Sequence, residues 1–308
     1  MKMTLQLKTK PFDLSIVIPI YNEEENIIPL IEIIDKVLDK KYYYEIIFVD
    51  DGSTDKTKEL LQNIMLDAEE DRLKVLHFKI NKGQTKAIME GYNLAKAPIV
   101  VTMDGDLQND PRDIPILLSK LSENYDLVCG WRADRKDTVS KKLLSFGSRL
   151  ISKILGGNVV HDSGCTLKAF NKLQIPKLNL FGESHRFIPL ILKNEGYNIT
   201  EVKVKHHKRA YGKTKYGIKR LWRGFFDMLA ILFWYKYSTK PLHFFGGIGM
   251  SMILLSIAIF SFMLIRIYLF LHTQMTVGPL LLLVAMIAIM GLQLILFGFL
   301  GELQVRTK

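Results

Sequence analysis

Between Asp13 and Trp131 the chain alternates short apolar runs with stretches of helical spacing. LSIVIPI (Leu14 to Ile20), YEIIFVD (Tyr44 to Asp50), LKVLHFKI (Leu73 to Ile80), PIVVTMD (Pro98 to Asp104) and YDLVCGW (Tyr125 to Trp131) read as strands. Several are apolar at nearly every position, the pattern of a parallel sheet covered on both faces. The segments from Glu23 to Asp39, Thr54 to Asp67 and Thr85 to Lys96 carry helical spacing. Strand and helix in alternation predict βαβ units with right-handed crossovers, hence a doubly wound, mostly parallel α/β domain. Asn22 and Thr54 are the expected N-caps, with Glu23, Glu24 and Glu25 in a first turn where the helix dipole favours acids.

The second half changes character. From Ser140 to Gly157, SKKLLSFGSRLISKILGG sets Leu143, Leu144, Phe146, Leu150, Ile151, Ile154 and Leu155 largely on one helical face and its cations on another. This fits a basic amphipathic helix in a membrane interface, or an ordinary surface helix packed on the domain. Phe244 to Ile265 and Leu280 to Leu300 are uncharged and apolar, each long enough to cross about 30 Å of hydrocarbon. They account for the excess in a 48% hydrophobic content that is high for a wholly soluble protein. The expected organisation is a domain over 1–216 with an interfacial helix near 140–157, an amphipathic juxtamembrane segment over 217–243, and two spans near 244–268 and 279–301 within 244–308. The connection RIYLFLHTQMTVGP carries one arginine, whereas the N-terminal part and the tail ELQVRTK hold nearly all the Lys and Arg, so both ends are expected to face the cytoplasm. The N-terminus shows no signal-peptide core before its acidic residues, and export of the large domain is not expected. Small residues in FFGGIGMS (Phe244 to Ser251) suit helix packing between subunits of a homo-oligomer, a tetramer being one size that this allows.

The formal net charge of +11 requires a partner or a surface. Between Lys203 and Arg223 lie nine Lys or Arg and no acid, and from Arg132 to Lys153 seven cations against two acids. Charge alone suits nucleic acid, anionic lipid or phosphorylated substrate. The first block runs into the aromatic-rich stretch before the first span, which favours an anionic inner leaflet over nucleic acid. Cys129 and Cys165 are the only cysteines and have no metal spacing; they read as small buried groups.

Polar signatures follow the first four strands in turn: PIYNEEE, DDGSTD, NKGQTK and DGDLQ. In an open α/β sheet, ligands bind outside the carboxyl ends of the strands, so the four describe one site. No G-x-G-x-x-G follows the first strand and no P-loop occurs, which removes the main support for dinucleotide or P-loop chemistry. Asp104 and Asp106, one glycine apart at a strand end, can lean toward one ion where Gly105 lets the chain turn. Hard oxygen ligands suit Mg²⁺ or Mn²⁺ completed by substrate phosphates.

SIVIPIYNEEENI, VDDGSTDKT, NKGQTKAIMEGY, VTMDGDLQNDP and DSGCTLKAF, in this order, resemble glycosyltransferase family 2 of the GT-A fold, a Rossmann-like doubly wound sheet. Within it the chain is similar to polyprenyl-phosphate glycosyltransferases, the bactoprenol glucosyltransferases and dolichol-phosphate mannosyltransferases, over about Asp13 to Tyr216. The resemblance implies that Pro19, Tyr21, Glu23 and Asp51 hold the base and ribose of a nucleotide sugar, that Lys82 and Gly83 lie near the nucleotide, and that Asp104 and Asp106 carry a diphosphate-bridging metal beside Gln108. It implies an inverting hexose transfer, UDP-glucose first among donors and GDP-mannose or amino sugars behind it, to a polyprenyl (undecaprenyl) phosphate.

A lipid phosphate has a second pKa of about 6 and is mostly dianionic near neutrality, so it needs cationic positioning more than a strong base. Arg132, Arg135, His185, Arg186, Arg209, Lys213 and Lys215 are available for that, in segments that resemble the family's acceptor side. Asp162 matches the family's acceptor-loop acid and is counted with Asp104 and Asp106 as catalytic, as a base or orienting group, against a structural role capping the strand GCTLKAF. His161, His206 and His207 have no metal spacing. Competing readings are a processive polysaccharide synthase, for which two spans and no Q-x-x-R-W segment argue poorly, and a non-catalytic membrane scaffold or sugar-nucleotide sensor.

Overall fold

The computed structural model describes residues 11–39, 41–67, 72–133, 159–180, 182, 184–208, 230, 233–234, 236–269 and 277–307. The chain forms two compact units, Met1–Asp227 and Met228–Lys308. The amphipathic helix expected at 140–157, most of the juxtamembrane segment, and Arg135, Arg209, Lys213 and Lys215 lie outside the described residues.

In the first unit the elements run β1 (Leu14–Ile20), α1 (Ile27–Leu38), β2 (Tyr44–Asp50), α2 (Thr57–Asp67), β3 (Leu73–His77), α3 (Gln84–Leu94), β4 (Ile99–Thr102), a 3-10 turn (Pro111–Asp113), α4 (Ile114–Leu121) and β5 (Leu127–Trp131). They continue through β6 (Lys168–Asn171), a second 3-10 turn (Ser184–Phe187), α5 (Ile188–Asn194) and β7 (Ile199–Lys203). The seven strands form one sheet in the order β3-β2-β1-β4-β6-β5-β7. β1 runs parallel to β2 and β4, β2 to β3, and β5 to β7, while β6 is antiparallel to both β4 and β5. Successive β1 side chains feed opposite layers: Ile16 and Ile18 pack with Ile27, Leu30, Ile34 and Leu117, and Val17 packs with Ala87, Tyr92 and Val100. Both faces are thus covered, as the apolar strand runs predicted.

The reversed strand positions the site. Because β6 pairs Lys168 with Thr102, its first residue lies at the carboxyl end of β4, and the loop before it must lie at the ligand-binding edge. At the opposite end of the sheet the buried Glu45 accepts hydrogen bonds from Ser15 Oγ and the Lys96 amide and pairs with Lys74. That is a structural knot, since both carboxylate oxygens are engaged by the fold itself.

The expected helix starts shift. Asn22 adopts a left-handed backbone, φ 53°, and α1 begins only after Asn26, so Glu23, Glu24 and Glu25 precede the helix. Thr54 likewise lies ahead of α2. These residues link two loops instead. The Asn22 amide donates to Ser53 Oγ at 2.8 Å, the Thr54 amide to Asn22 Oδ1 at 2.7 Å, the Glu23 amide to Thr57 Oγ1 at 3.0 Å and the Lys56 amide to Glu24 at 2.8 Å. Asx and hydroxyl side chains compete with helix formation in this way.

The second unit contains α6 (Pro241–Leu269) and α7 (Val277–Arg306), two helices long and apolar enough to cross a membrane. Large side chains such as Phe262 and Leu282 face outward. A Cβ on Gly249 would lie 2.4 Å from the Gly291 carbonyl oxygen, and one on Gly291 would lie 2.7 Å from that of Gly249. Gly249, expected to serve contacts between subunits, is therefore used for backbone approach within the hairpin.

Candidate active site

The chain leaves β4 through Met103 and Asp104 into a loop that doubles back on itself. Gly105 is needed here for close approach: a Cβ would lie 2.5 Å from Ile20 Cγ2, at the end of β1. The left-handed residue is Leu107, φ 58°, which turns the loop so that the Gln108 amide returns to Asp106 Oδ1 at 3.2 Å. The Asp104 carboxylate is held on both oxygens. Gln84 Nε2 donates to Oδ1 at 2.7 Å, and Thr166 Oγ1 to Oδ2 at 2.5 Å. Its own amide donates to Asn109 Oδ1 at 3.1 Å. Burial and then the neighbouring Asp106 push the Asp104 carboxyl up to about 6, against the pull of the Thr166 hydrogen bond, Arg132 and Lys168.

Just after β2, Asp51 is buried and both its oxygens face the loop after β3. The Lys82 amide donates to Oδ1 at 2.6 Å and the Gly83 amide to Oδ2 at 2.9 Å. Burial raises its pKa, opposed by these two amides. The carboxylate expected to hold base or ribose thus shapes the Lys82–Gly83 loop. Gly52 allows the same closeness: at φ 75° its Cβ would lie 2.8 Å from the Asn81 nitrogen. Lys82 extends over the Phe78 ring, 4.9 Å from its centroid. Pro19 is buried within β1, Tyr21 is half-buried after it, and the Glu23 carboxylate accepts from Asn26 Nδ2 at 2.6 Å.

On the other side, Arg132 and Asp162 form a two-pronged ion pair, Nε to Oδ2 at 2.6 Å and Nη2 to Oδ1 at 2.9 Å. Trp131 stacks on His161 with centroids 4.4 Å apart, His161 pairs with Glu201, and Lys203 Nζ lies 5.2 Å from the Trp131 ring. His185, expected at the acceptor phosphate, is buried, its Nδ1 2.8 Å from Thr85 Oγ1 on α3. Arg186 is half-buried beside it. Gln108 does lie beside the Asp104–Asp106 loop, and its Nε2 is 3.4 Å from the His207 carbonyl oxygen. His206 bridges to Asn109 and His207 Nε2 is 3.0 Å from Asp110, so this pair braces the loop. Cys129 and Cys165 are buried and free, and burial pushes the Cys129 thiol up to about 12.

Asp104 and Asp106 together fit a hard divalent ion that completes its shell with water and substrate oxygens. Among the described residues no group of three or more His, Cys, Asp or Glu gathers anywhere, so an all-protein cage is absent there. Four residues that matter were not singled out from the sequence: Gln84, Asn109, Thr166 and Lys168. Each lies inside a quoted motif, NKGQTK, DGDLQNDP or DSGCTLKAF; Gln84 and Thr166 meet Asp104 from 20 and 62 residues away, Asn109 meets Thr166 from 57, and Lys168 folds back on its own loop.

Residues 15–172 match the family model described as glycosyl transferase family 2. The chain is 36% identical over 305 residues to dodecaprenyl-phosphate galacturonate synthase of Rhizobium johnstonii, covering 96% of this chain and 88% of that one. It is 32% identical over 300 residues to undecaprenyl-phosphate 4-deoxy-4-formamido-L-arabinose transferase of Pseudomonas aeruginosa, covering 96% and 86%. Among solved structures, glucosyl-3-phosphoglycerate synthase from Mycobacterium tuberculosis, in complex with Mn²⁺, UDP-glucose and phosphoglyceric acid, superposes with a TM-score of 0.56 at 20% identity, over 73% of this chain and 79% of that one. The last likeness is one of fold.

Proposed function

The chain belongs to glycosyl transferase family 2, and from that premise we propose that it transfers a glycosyl group from a nucleotide sugar to the phosphate of a polyprenyl phosphate at the cytoplasmic face of a membrane. One observation carries the reading: Asp104 and Arg132 belong to a single charged cluster. Thr166 Oγ1 bonds Asp104 while Asp162, four residues earlier, clamps Arg132. Carboxylates suited to a metal diphosphate and a cation suited to a phosphate are thereby brought to one sheet edge.

The chemistry follows from these groups. A dianionic acceptor phosphate is already a nucleophile near neutral pH and requires orientation more than deprotonation. Arg132, fixed by Asp162, keeps further N–H groups that can orient it. Mg²⁺ or Mn²⁺, when bound by Asp104 and Asp106, would supply charge stabilisation for the departing diphosphate. Lys82 and Gly83, held by Asp51, shape the donor loop. A single in-line displacement inverts the anomeric centre. Arg135, Arg209, Lys213 and Lys215 complete the proposed acceptor side, and the two apolar helices would hold the enzyme where an isoprenoid tail resides. The distribution of Lys and Arg favours both termini on the cytoplasmic side. Assembly as a homo-oligomer remains part of this proposal.

UDP-glucose is favoured by the resemblance to two-span glucosyltransferases. The names of the two curated relatives instead favour a galacturonate or formamidoarabinose donor, and they align over nearly the whole chain. The test is transfer of radiolabel from UDP-glucose, UDP-galacturonate, a UDP-formamidopentose and GDP-mannose to undecaprenyl phosphate with Mg²⁺ or Mn²⁺, followed by organic extraction. Label in a short lipid product supports the proposal and identifies the donor. Label in polymer supports a processive synthase, and no transfer from any donor supports a scaffold or sensor.

A further inference from the structure

Lys168 opens β6 with 2% of its surface exposed. An ammonium in that position is costly unless paired and hydrogen-bonded, whereas a methionine would fill it with no polar requirement. Its Nζ donates to the Ser163 carbonyl at 3.3 Å and to that of Cys165. Those two carbonyls bracket the loop between Asp162, which clamps Arg132, and Thr166, which holds Asp104. In the sheet Lys168 is opposite Thr102 of β4 and Cys129 of β5, one strand away from both the carboxylate pair and Arg132. Three acids, Asp104, Asp106 and Asp162, crowd this edge, and Arg132 is committed to Asp162. Lys168 adds a second buried cation, bonded to the loop that holds Asp104.

We propose that Lys168 is a positioning residue of the transfer site, whose ammonium pins the 162–166 loop and is a standing counter-charge to Asp104 and Asp106. A divalent ion arriving alone would leave the cluster with excess positive charge. An ion accompanied by a nucleoside diphosphate would not. Lys168 thus weakens capture of the bare ion and reserves the carboxylate pair for an ion that comes with the donor's diphosphate.

The inference rests on the assignment of the ion to Asp104 and Asp106. Its test is binding of Mn²⁺ alone to the full-length protein in detergent, followed by electron paramagnetic resonance without nucleotide. Lys168→Met keeps the volume and removes the charge, so Mn²⁺ should bind at least about tenfold more tightly, because a unit positive charge is removed from the ion's surroundings. A residue that only pinned the loop would give the reverse, because a loosened Thr166 would release Asp104; unchanged or weaker Mn²⁺ binding overturns the proposal. Lys168→Arg keeps the charge with a different bonding geometry, and decides the matter if the methionine variant does not fold. Affinity within about twofold of the unaltered chain supports the counter-charge, and a larger loss overturns it. If the unaltered chain binds Mn²⁺ no better than Asp106→Asn, the metal assignment itself fails and this role with it.

Discussion

Arg132 and Asp162 meet through two parallel hydrogen bonds at 2.6 and 2.9 Å, and the Arg132 amide approaches the same carboxylate at 3.3 Å. Burial disfavours the guanidinium charge, yet the Asp162 hydrogen bonds hold its pKa above the ordinary range. Fork-to-fork pairing fixes the plane of the arginine as well as its charge. Asp162 therefore fixes the plane of Arg132, and in the proposed site this favours the orienting role over that of a base.

Asp162→Asn separates those roles. Its amide cannot accept on both prongs, so the KM for lipid phosphate should rise about 10- to 100-fold, the scale of a charged hydrogen bond, with the pH profile of kcat unmoved. Loss of a general base would instead lower kcat and remove the acid limb of that profile. Steady-state kinetics across pH distinguish the two.

Asp106→Asn should abolish metal-dependent transfer while leaving membrane insertion intact, because the remaining carboxylate is a poor ligand set for a hard divalent ion. Normal turnover by this variant, assayed in membranes, would contradict the assignment.

Asp104 also predicts a pH dependence of stability. Its folded pKa near 6 lies above the unfolded value of about 4. The folded metal-free protein retains a proton that the unfolded chain releases, so this contribution is full below about pH 4 and is lost as pH rises through about 6. Melting temperatures of the metal-free protein should fall over that window more than those of Asp104→Asn. Added Mg²⁺ or Mn²⁺ should raise the melting temperature more at pH 7 than at pH 5, since the ion favours the ionised carboxylate.

Asp51→Ala leaves the Lys82 and Gly83 amides without their buried acceptor. The expected loss is about 1–3 kcal/mol of stability, together with a larger rise in KM for the nucleotide sugar than for the lipid. Equal changes in both KM values would argue against a donor-side loop.

Gly249→Leu drives a side chain into the Gly291 backbone, and overpacking of this kind costs about 1–3 kcal/mol. Nothing lies within 4 Å of a Cβ at Gly247, so Gly247→Leu serves as the matched control. Unfolding of the full chain in mixed detergent micelles should separate the two variants.

The strands were legible in the sequence because apolar runs such as LSIVIPI and YEIIFVD report burial locally, and strand-end acids and glycines mark where such a sheet is open. Hence β1, β2, the helix between them and the Asp104–Asp106 pair at the end of β4 are found where expected, to within a few residues. The helix starts were misread at Asn22 and Thr54, where side chains of one loop satisfy the backbone of the next, a choice that depends on two segments meeting. The burial of His185 was not legible for the same reason: its partner Thr85 is 100 residues away.

The sequence by itself determined the α/β alternation, the two apolar helices and the carboxylate pair at a strand end, since each is encoded by neighbours a few residues apart. Only the tertiary structure decided that β6 runs against the sheet, and so that Asp162 reaches Arg132 across 30 residues, Thr166 reaches Asp104 across 62, and Lys168 is buried beneath both. The periodicity of a strand specifies which faces are apolar and says nothing of its direction or its neighbour. Those are set by which packing buries the most surface while satisfying every polar group, a property of the whole chain.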